Sequence, residues 1–254
     1  MQRRQFTQSI VAASTGLAFA PLSRAVGVQD AMDSKVVTIG CSVGLTGPLA
    51  SLGIELKQGL DAGIAQANAR RINGRELRLL TIDDGYEPAR SEEVARKLIA
   101  DSNVVALLSC MGTANNQRIL PLVSEAQIPY VAPQSGATSL RKADYRSVFH
   151  VRASYSDEAR RLTQKLMAMG ISDIAIVYQD TAFGREFLAD AQSALAAAKQ
   201  PAPKIFKLDA AGKQTGDVVR QALASRPNAV LLGTAGAASA LLINEFKKVS
   251  PSTP

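Results

Sequence analysis

The groups in this chain whose types could do chemistry are few. They are the adjacent carboxylates Asp83 and Asp84, the single histidine His150, the cysteines Cys41 and Cys110, and Ser139 set three residues before Lys142. A carboxylate pair can move protons or hold a metal, a histidine can serve as a general base near neutral pH, and Ser-x-x-Lys can present an activated nucleophile. Each also has a plainer reading. Asp83-Asp84 follows an apolar run and precedes Gly85-Tyr86, where acids cap turns. His150 ends an apolar stretch and reads as structural. Ser139-Leu-Arg-Lys142 lacks its companion motifs. There is no Gly-x-Ser-x-Gly elbow, no Gly-x-x-x-x-Gly-Lys-Ser/Thr loop and no His-Glu-x-x-His. Two distant cysteines and one histidine give no metal-ligand spacing. The expectation is therefore a protein that is not an enzyme and needs no cofactor. Cys41 and Cys110 each close an apolar run, so they form either one disulfide in an oxidising compartment or two small buried hydrophobes.

The elements that must position any site alternate regularly. Val36 to Ser42 is an apolar, β-branched run, and Ile54 to Ala69 carries apolar residues at helical spacing. Leu77 to Ile82, Val104 to Leu108 and Ile128 to Val131 read as further strands. Between them lie helices over Pro88 to Ala100, with proline preset for the first turn, and Thr113 to Ala126. This predicts a first α/β lobe over residues 35–152, a doubly wound parallel sheet of four strands. A second series follows a junction near Val151 to Ser154. A helix capped at Ser156, with Asp157 and Glu158 in its first turn, ends at Gly170. Strands over Ile174 to Tyr178, Lys204 to Leu208 and Ala229 to Leu232 then alternate with helices over Arg185 to Lys199, Asp217 to Ala224 and Ala237 to Val249. The fold class expected is α/β with two doubly wound parallel-sheet lobes. The second, over 153–254, has only three strands and stops at a turn-like Ser250-Pro251-Ser252-Thr253-Pro254, so it reads as truncated.

The N-terminus supplies the compartment. Arg3 and Arg4 precede an uncharged run from Ile10 to Ala20 and small residues around Pro21 to Ala25, the order of a secretory signal peptide over 1–25. That apolar run is shorter than the roughly twenty residues of a membrane span. Cleavage between Ala20 and Asp30 is expected, and Arg3-Arg4-Gln5-Phe6 resembles a twin-arginine motif, leaving that route and ordinary secretion open. Losing Arg3, Arg4 and Arg24 lowers the formal charge from +7 to +4, with the remaining basic residues scattered among acids. Such a surface excludes the clustered stripe of a nucleic-acid binder.

Ligands of open α/β sheets bind in loops at the carboxyl ends of the strands. Those loops carry a resemblance. Ile39-Gly40 leading into Gly44-Leu-Thr-Gly-Pro-Leu-Ala-Ser-Leu-Gly53, then Asp83-Asp84-Gly-Tyr-Glu-Pro88, Ile128-Pro-Tyr-Val-Ala-Pro133 and Val177-Tyr-Gln-Asp-Thr-Ala-Phe-Gly184, resemble the leucine/isoleucine/valine-type periplasmic solute-binding proteins. The resemblance implies a type I periplasmic binding protein fold whose lobes close over an amino acid or organic acid. It also implies a monomer that delivers this ligand, in the periplasm, to an ABC-type permease. It places Thr113 at a carboxylate-holding position beside Gly112, with a plain helix cap as the rival reading. Ser135 would donate to the carboxylate, Gln134 would accept from a ligand amine through its backbone, and Gly136 would let the backbone approach; a simple turn uses the same residues. Leu52, Tyr155 and Phe183 fall at pocket positions, with core packing as the rival for Leu52 and Phe183.

Three departures qualify the resemblance. A second-lobe aromatic position is Ala235 here, which leaves a roomier pocket. The family's cysteine pair aligns with Tyr86 and Gly112, so that disulfide is absent. The family's amine-clamping acid falls beyond Pro254. A repressor effector domain would begin with a DNA-reading helix-turn-helix, and a dinucleotide enzyme needs Gly-x-Gly-x-x-Gly where this chain has Gly40-Cys-Ser-Val-Gly44. An exported ligand-sensing domain that docks on a signalling receptor fits the sequence as well as a transport protein does.

Overall fold

The computed structural model describes residues 35–249. The segment read as an export signal over 1–25 and the Ser250-to-Pro254 stretch lie outside the described residues. The first sheet holds β1 (Val36–Val43), β2 (Glu76–Asp83), β3 (Val104–Leu108), β4 (Tyr130–Val131) and β5 (Val148–Phe149), in the order β2-β1-β3-β4-β5 and all parallel. β1 and β2 run in unbroken register from Val36 opposite Glu76 to Val43 opposite Asp83. Because β2 lies on one side of β1 and β3 on the other, the loops leaving β1 and β3 diverge and open a crevice at the carboxyl edge. The second sheet, β7-β6-β8, repeats that pattern with β6 (Ile174–Gln179) between β7 (Lys204–Leu208) and β8 (Ala229–Gly233).

Helices cover both sheets, as parallel strands require, since each βα crossover carries the chain over a face. In the first lobe α1 (Ala50–Ala69) packs on Cys41, Val43 and Leu79. On the opposite face α2 (Pro88–Ala100) and α3 (Thr113–Ala126) bring Val94, Leu98, Ile119 and Val123 onto Val104, Leu107 and Tyr130. In the second lobe α4 (Tyr155–Ala168) and α5 (Ala182–Ala197) bury Ala159, Phe187, Ala191 and Leu195 against Ile174, Ile176 and Leu231. α6 (Thr215–Ala224) and α7 (Ala237–Val249) cover Val177 and Leu208 on the other side. No described helix is long and apolar enough to cross a membrane.

The lobes meet along one seam. Phe183 of α5 packs against core residues of both lobes. Gln117 Nε2 and the Ser139 amide donate to Glu186 at 3.2 and 3.3 Å, the Ser139 hydroxyl bonds the same carboxylate, and Thr138 Oγ1 donates to Asp190 Oδ2 at 3.4 Å. Ser139 is thus an inter-lobe tie. Its spacing from Lys142 has no chemical meaning here.

Four sequence expectations need correction. The first sheet has five strands, not four, because β5 is two residues long and a pair of residues has no measurable periodicity. β4 shrinks to Tyr130–Val131 for the same reason. The cap of α4 is Ser154, not Ser156: its Oγ accepts from the Asp157 amide at 3.0 Å and donates to Asp157 Oδ2 at 2.7 Å. Helices α1 and α5 begin earlier than expected, the latter because Thr181 Oγ1 caps the Gly184 amide at 3.1 Å. Of the two cysteine readings the structure gives the second. Cys41 and Cys110 are fully buried and unbridged, and Cys110 Sγ accepts from the Ser42 amide at 3.4 Å.

Candidate functional site

A cavity of about 540 Å³ opens where the carboxyl-end loops of both lobes converge. Leu49 and Leu52 reach it from the loop and helix after β1, and Tyr86 from the loop after β2. Gly112 and Thr113 come from the start of α3, Gln134 from the loop after β4, Tyr155 from the start of α4, and Phe183 from the start of α5. Of the sequence-expected site residues, Leu52, Gly112, Thr113, Gln134, Tyr155 and Phe183 line the cavity. Ser135 and Gly136 stand behind the wall. Ala235, expected to leave room, is also on the lining, with Glu55, Leu56, Met111, Arg152 and Tyr86 as residues the sequence reading did not assign to the site.

The polar end is built on the first turn of α3. Gly112 is the N-cap residue and makes no side-chain cap bond, so Thr113 occupies the first helical position and its hydroxyl is not a cap. Instead Thr113 Oγ1 lies 2.8 Å from Ser135 Oγ, which lies 3.4 Å from the Tyr155 hydroxyl and accepts from the Ala137 amide at 3.2 Å. The first amides of a helix have no intrahelical acceptor, and the dipole favours an anion there. Two lining residues with hydroxyls, Thr113 and Tyr155, linked through Ser135 behind them, therefore meet a helix start at the cavity.

Two glycines are required by this arrangement. Gly112 has φ of 102°, a left-handed conformation that side chains resist, and a Cβ there would lie 2.7 Å from Cε2 of Tyr86. A Cβ on Gly136 would lie 2.5 Å from the Tyr155 ring, whose amide donates to the Gly136 carbonyl at 2.7 Å. Gly136 thus makes room for the Tyr155 ring. The rest of the lining is mostly apolar, with the Glu55 carboxylate among it. Phe183 meets Tyr155 edge to face with centroids 5.1 Å apart, and Leu49, Leu52, Leu56 and Met111 complete that side. Arg152, also on the lining, lies over the Tyr155 ring with Cζ 5.2 Å from the centroid, while its guanidinium pairs with Glu158 at 2.9 Å.

The carboxylate pair serves the loops. Asp83 Oδ1 accepts from the amides of Leu45, Thr46 and Gly85 at 2.8, 3.1 and 2.9 Å, and Oδ2 accepts from Thr46 Oγ1 at 2.7 Å. Desolvation pushes its pKa up, but the Thr46 hydroxyl and these amides outweigh it and hold the group at about 2. Asp84 is fully buried and accepts from Ser42, Ser91 and the Tyr86 amide. Neither is placed for acid–base work in the cavity. Because the folded pKa of Asp83 is depressed, its stabilisation is present above its ordinary pKa near 4 and disappears as pH falls toward 2. Asp83→Asn should therefore be less stable than the unsubstituted chain at pH 6 in urea unfolding, and the gap should close at pH 2. A gap that persists unchanged at pH 2 would assign the loss to packing, not to ionisation.

His150 stands apart from the cavity. Its Nε2 lies 3.2 Å from the Leu140 carbonyl, and burial, then the charge of Arg141, lower its pKa, which suits a neutral structural imidazole. Among the described residues no group of three or more His, Cys, Asp or Glu side chains could hold a metal ion.

Comparison with known proteins agrees with this fold. At 28% identity over 197 residues, the chain matches the Leu/Ile/Val-binding protein BraC3 of Rhizobium johnstonii, covering 75% of this chain and 48% of that protein. It matches a Leu/Ile/Val-binding protein homolog of Brucella abortus at 25% over 155 residues, 40% of that protein. The chain thus spans less than half the length of these relatives. Among solved structures, an extracellular ligand-binding receptor from Verminephrobacter eiseniae superposes with a TM-score of 0.78 at 28% identity, covering 86% of this chain and 62% of that one. A solute-binding protein of an ABC transporter from R. palustris, in complex with benzoate, shares the fold at TM-score 0.78 and 19% identity, covering 86% and 61%. The profile of the family described as Periplasmic binding protein matches residues 36–250, nearly all that the structure describes, and the chain belongs to that family.

Proposed function

We propose that this chain is the ligand-capturing part of an exported solute-binding protein that takes a small carboxylate, an amino acid or organic acid, between its lobes and passes it to an ABC-type permease. The observation that carries the reading is the polarity of the cavity. Its lining joins the start of α3, Thr113 and Tyr155, linked through the buried Ser135, to an apolar wall of Phe183, leucines and Met111. That mixed lining suits a molecule with an anionic head and an apolar body. A signal segment over 1–25 and the family relation support a periplasmic location, and the monomer acts with the permease as its partner.

Calorimetric titration of the intact protein with L-leucine, benzoate, 4-hydroxybenzoate and the corresponding amides tests this. At least one carboxylate should bind more tightly than its amide by ten-fold or more, since an ionised acceptor makes stronger hydrogen bonds. The recovered ligand should be chemically unchanged. Equal affinity for acid and amide, binding of none of them, or conversion of any of them, would overturn the proposal.

A further inference from the structure

We infer that Tyr86 is a ligand-contacting residue, its phenol donating a further hydrogen bond to an anionic ligand beside the start of α3. The inference rests on the carboxylate reading given above and adds to it a residue from the loop after β2. Tyr86 lines the cavity, and Cε2, the ring carbon next to the one that bears the hydroxyl, packs where a Cβ on Gly112 would otherwise sit. The phenol is therefore brought to the start of α3, beside Thr113. Its electrostatic neighbours are Tyr155, itself part of the hydroxyl chain, and Asp84. Among the described residues the Tyr86 hydroxyl makes no hydrogen bond, whereas the hydroxyls of Thr113, Ser135 and Tyr155 are joined to one another.

The backbone adds an independent observation. Tyr86 has φ of 62°, a left-handed conformation that is an outlier for a bulky side chain. Such strain persists only where the surroundings impose it, and here the buried carboxylate of Asp84 accepts from the Tyr86 amide at 2.8 Å. A strained backbone, a dedicated buried anchor and an unpartnered donor at the cavity converge on one side chain. Burial, with Tyr155 and Asp84 nearby, pushes the phenol up to about 12, so it stays a neutral donor at every pH at which the protein would work.

Tyr86→Phe tests this without removing the ring that packs on Gly112. The expected result is about ten-fold weaker binding of whichever probe carboxylate binds, benzoate or L-leucine, with the weaker binding of its amide analogue unchanged and the melting temperature unaltered. Equal losses for acid and amide, or a loss matched by a lower melting temperature, would make Tyr86 a wall only. Unchanged affinity in Tyr86→Phe, while Thr113→Val loses binding, would overturn this inference and leave the carboxylate site standing. Unchanged affinity in both variants would remove the carboxylate reading itself.

Discussion

Thr113→Val should weaken carboxylate binding ten-fold to a hundred-fold while shifting the melting temperature little. Valine keeps the shape of threonine and removes only its hydroxyl. In the chain of hydroxyls, Ser135 can donate to Thr113 Oγ1, which leaves the Thr113 hydrogen free to point at a ligand. A hydrogen bond to a charged acceptor is worth about 1.5–3 kcal/mol, which converts to the stated range. The fold should tolerate the change because Ser135 Oγ retains the Ala137 amide and the Tyr155 hydroxyl as partners. Thr113 is the first residue of its helix and not its cap, so no capping energy is lost. Ser135→Ala makes an informative companion. If Ser135 only orients Thr113, as its place behind the cavity lining indicates, its removal should cost less affinity than that of Thr113. Isothermal titration with the tightest carboxylate, alongside thermal melts, separates the cases. Retained affinity with a lowered melting point would place the anion elsewhere.

The sequence revealed much of this arrangement, and its failures have physical causes. The alternation of β-branched runs with helical spacing marks the long strands β1, β2 and β6 and every helix, because periodicity accumulates over length. β5 carries two residues and owes its existence to β4 beside it, so nothing local announces it, whereas β4 is legible in the apolar run Ile128 to Val131 but pairs only over Tyr130–Val131. Ser154 and Ser156 offer the same hydroxyl to the same helix start, and only the chain path through the junction decides between them. In the site, the rule that ligands sit at carboxyl-end loops finds Thr113, Gln134 and Phe183. Applied evenly it would also have raised Tyr86, which instead was absorbed into the reading of Asp83-Asp84-Gly-Tyr as a turn. Glu55 follows Leu52 by three residues and so shares its helix face, a signal that was present. That Ser135 and Gly136 lie behind the wall depends on the Tyr155 ring, which arrives from the other lobe. No local pattern could report it.

Asp84→Ala should be the most destabilising single change in the loops that shape the cavity. Asp84 Oδ2 accepts from Ser42 Oγ of β1 and from Ser91 Oγ of α2, both at 2.7 Å, and Oδ1 accepts from the Tyr86 amide. Ser91 Oγ in turn accepts from Asn115 Nδ2 at 2.5 Å, which carries the network into α3 two residues past Thr113. Ser42, Asp84, Ser91 and Asn115 are all buried, so water cannot replace the carboxylate without a cavity to enter. Truncation to alanine strands the Ser42 hydroxyl and the strained Tyr86 amide at once, while Ser91 Oγ keeps the Glu87 carbonyl at 3.0 Å. With a cost of about 1–3 kcal/mol for each buried group left unsatisfied, the loss should reach about 3–5 kcal/mol. For a chain of this size that is a fall of roughly 6–20 °C in melting temperature. Asp84→Asn retains one acceptor oxygen and should lose clearly less. The ligand should feel the change too, since Tyr86 and the start of α3 lose their common tether. A melting point within about 2 °C of the unsubstituted protein, measured by calorimetry, would mean that the hydroxyls find other partners. The left-handed conformation of Tyr86 would then be held by the Gly85 turn and by ring packing on Gly112 alone.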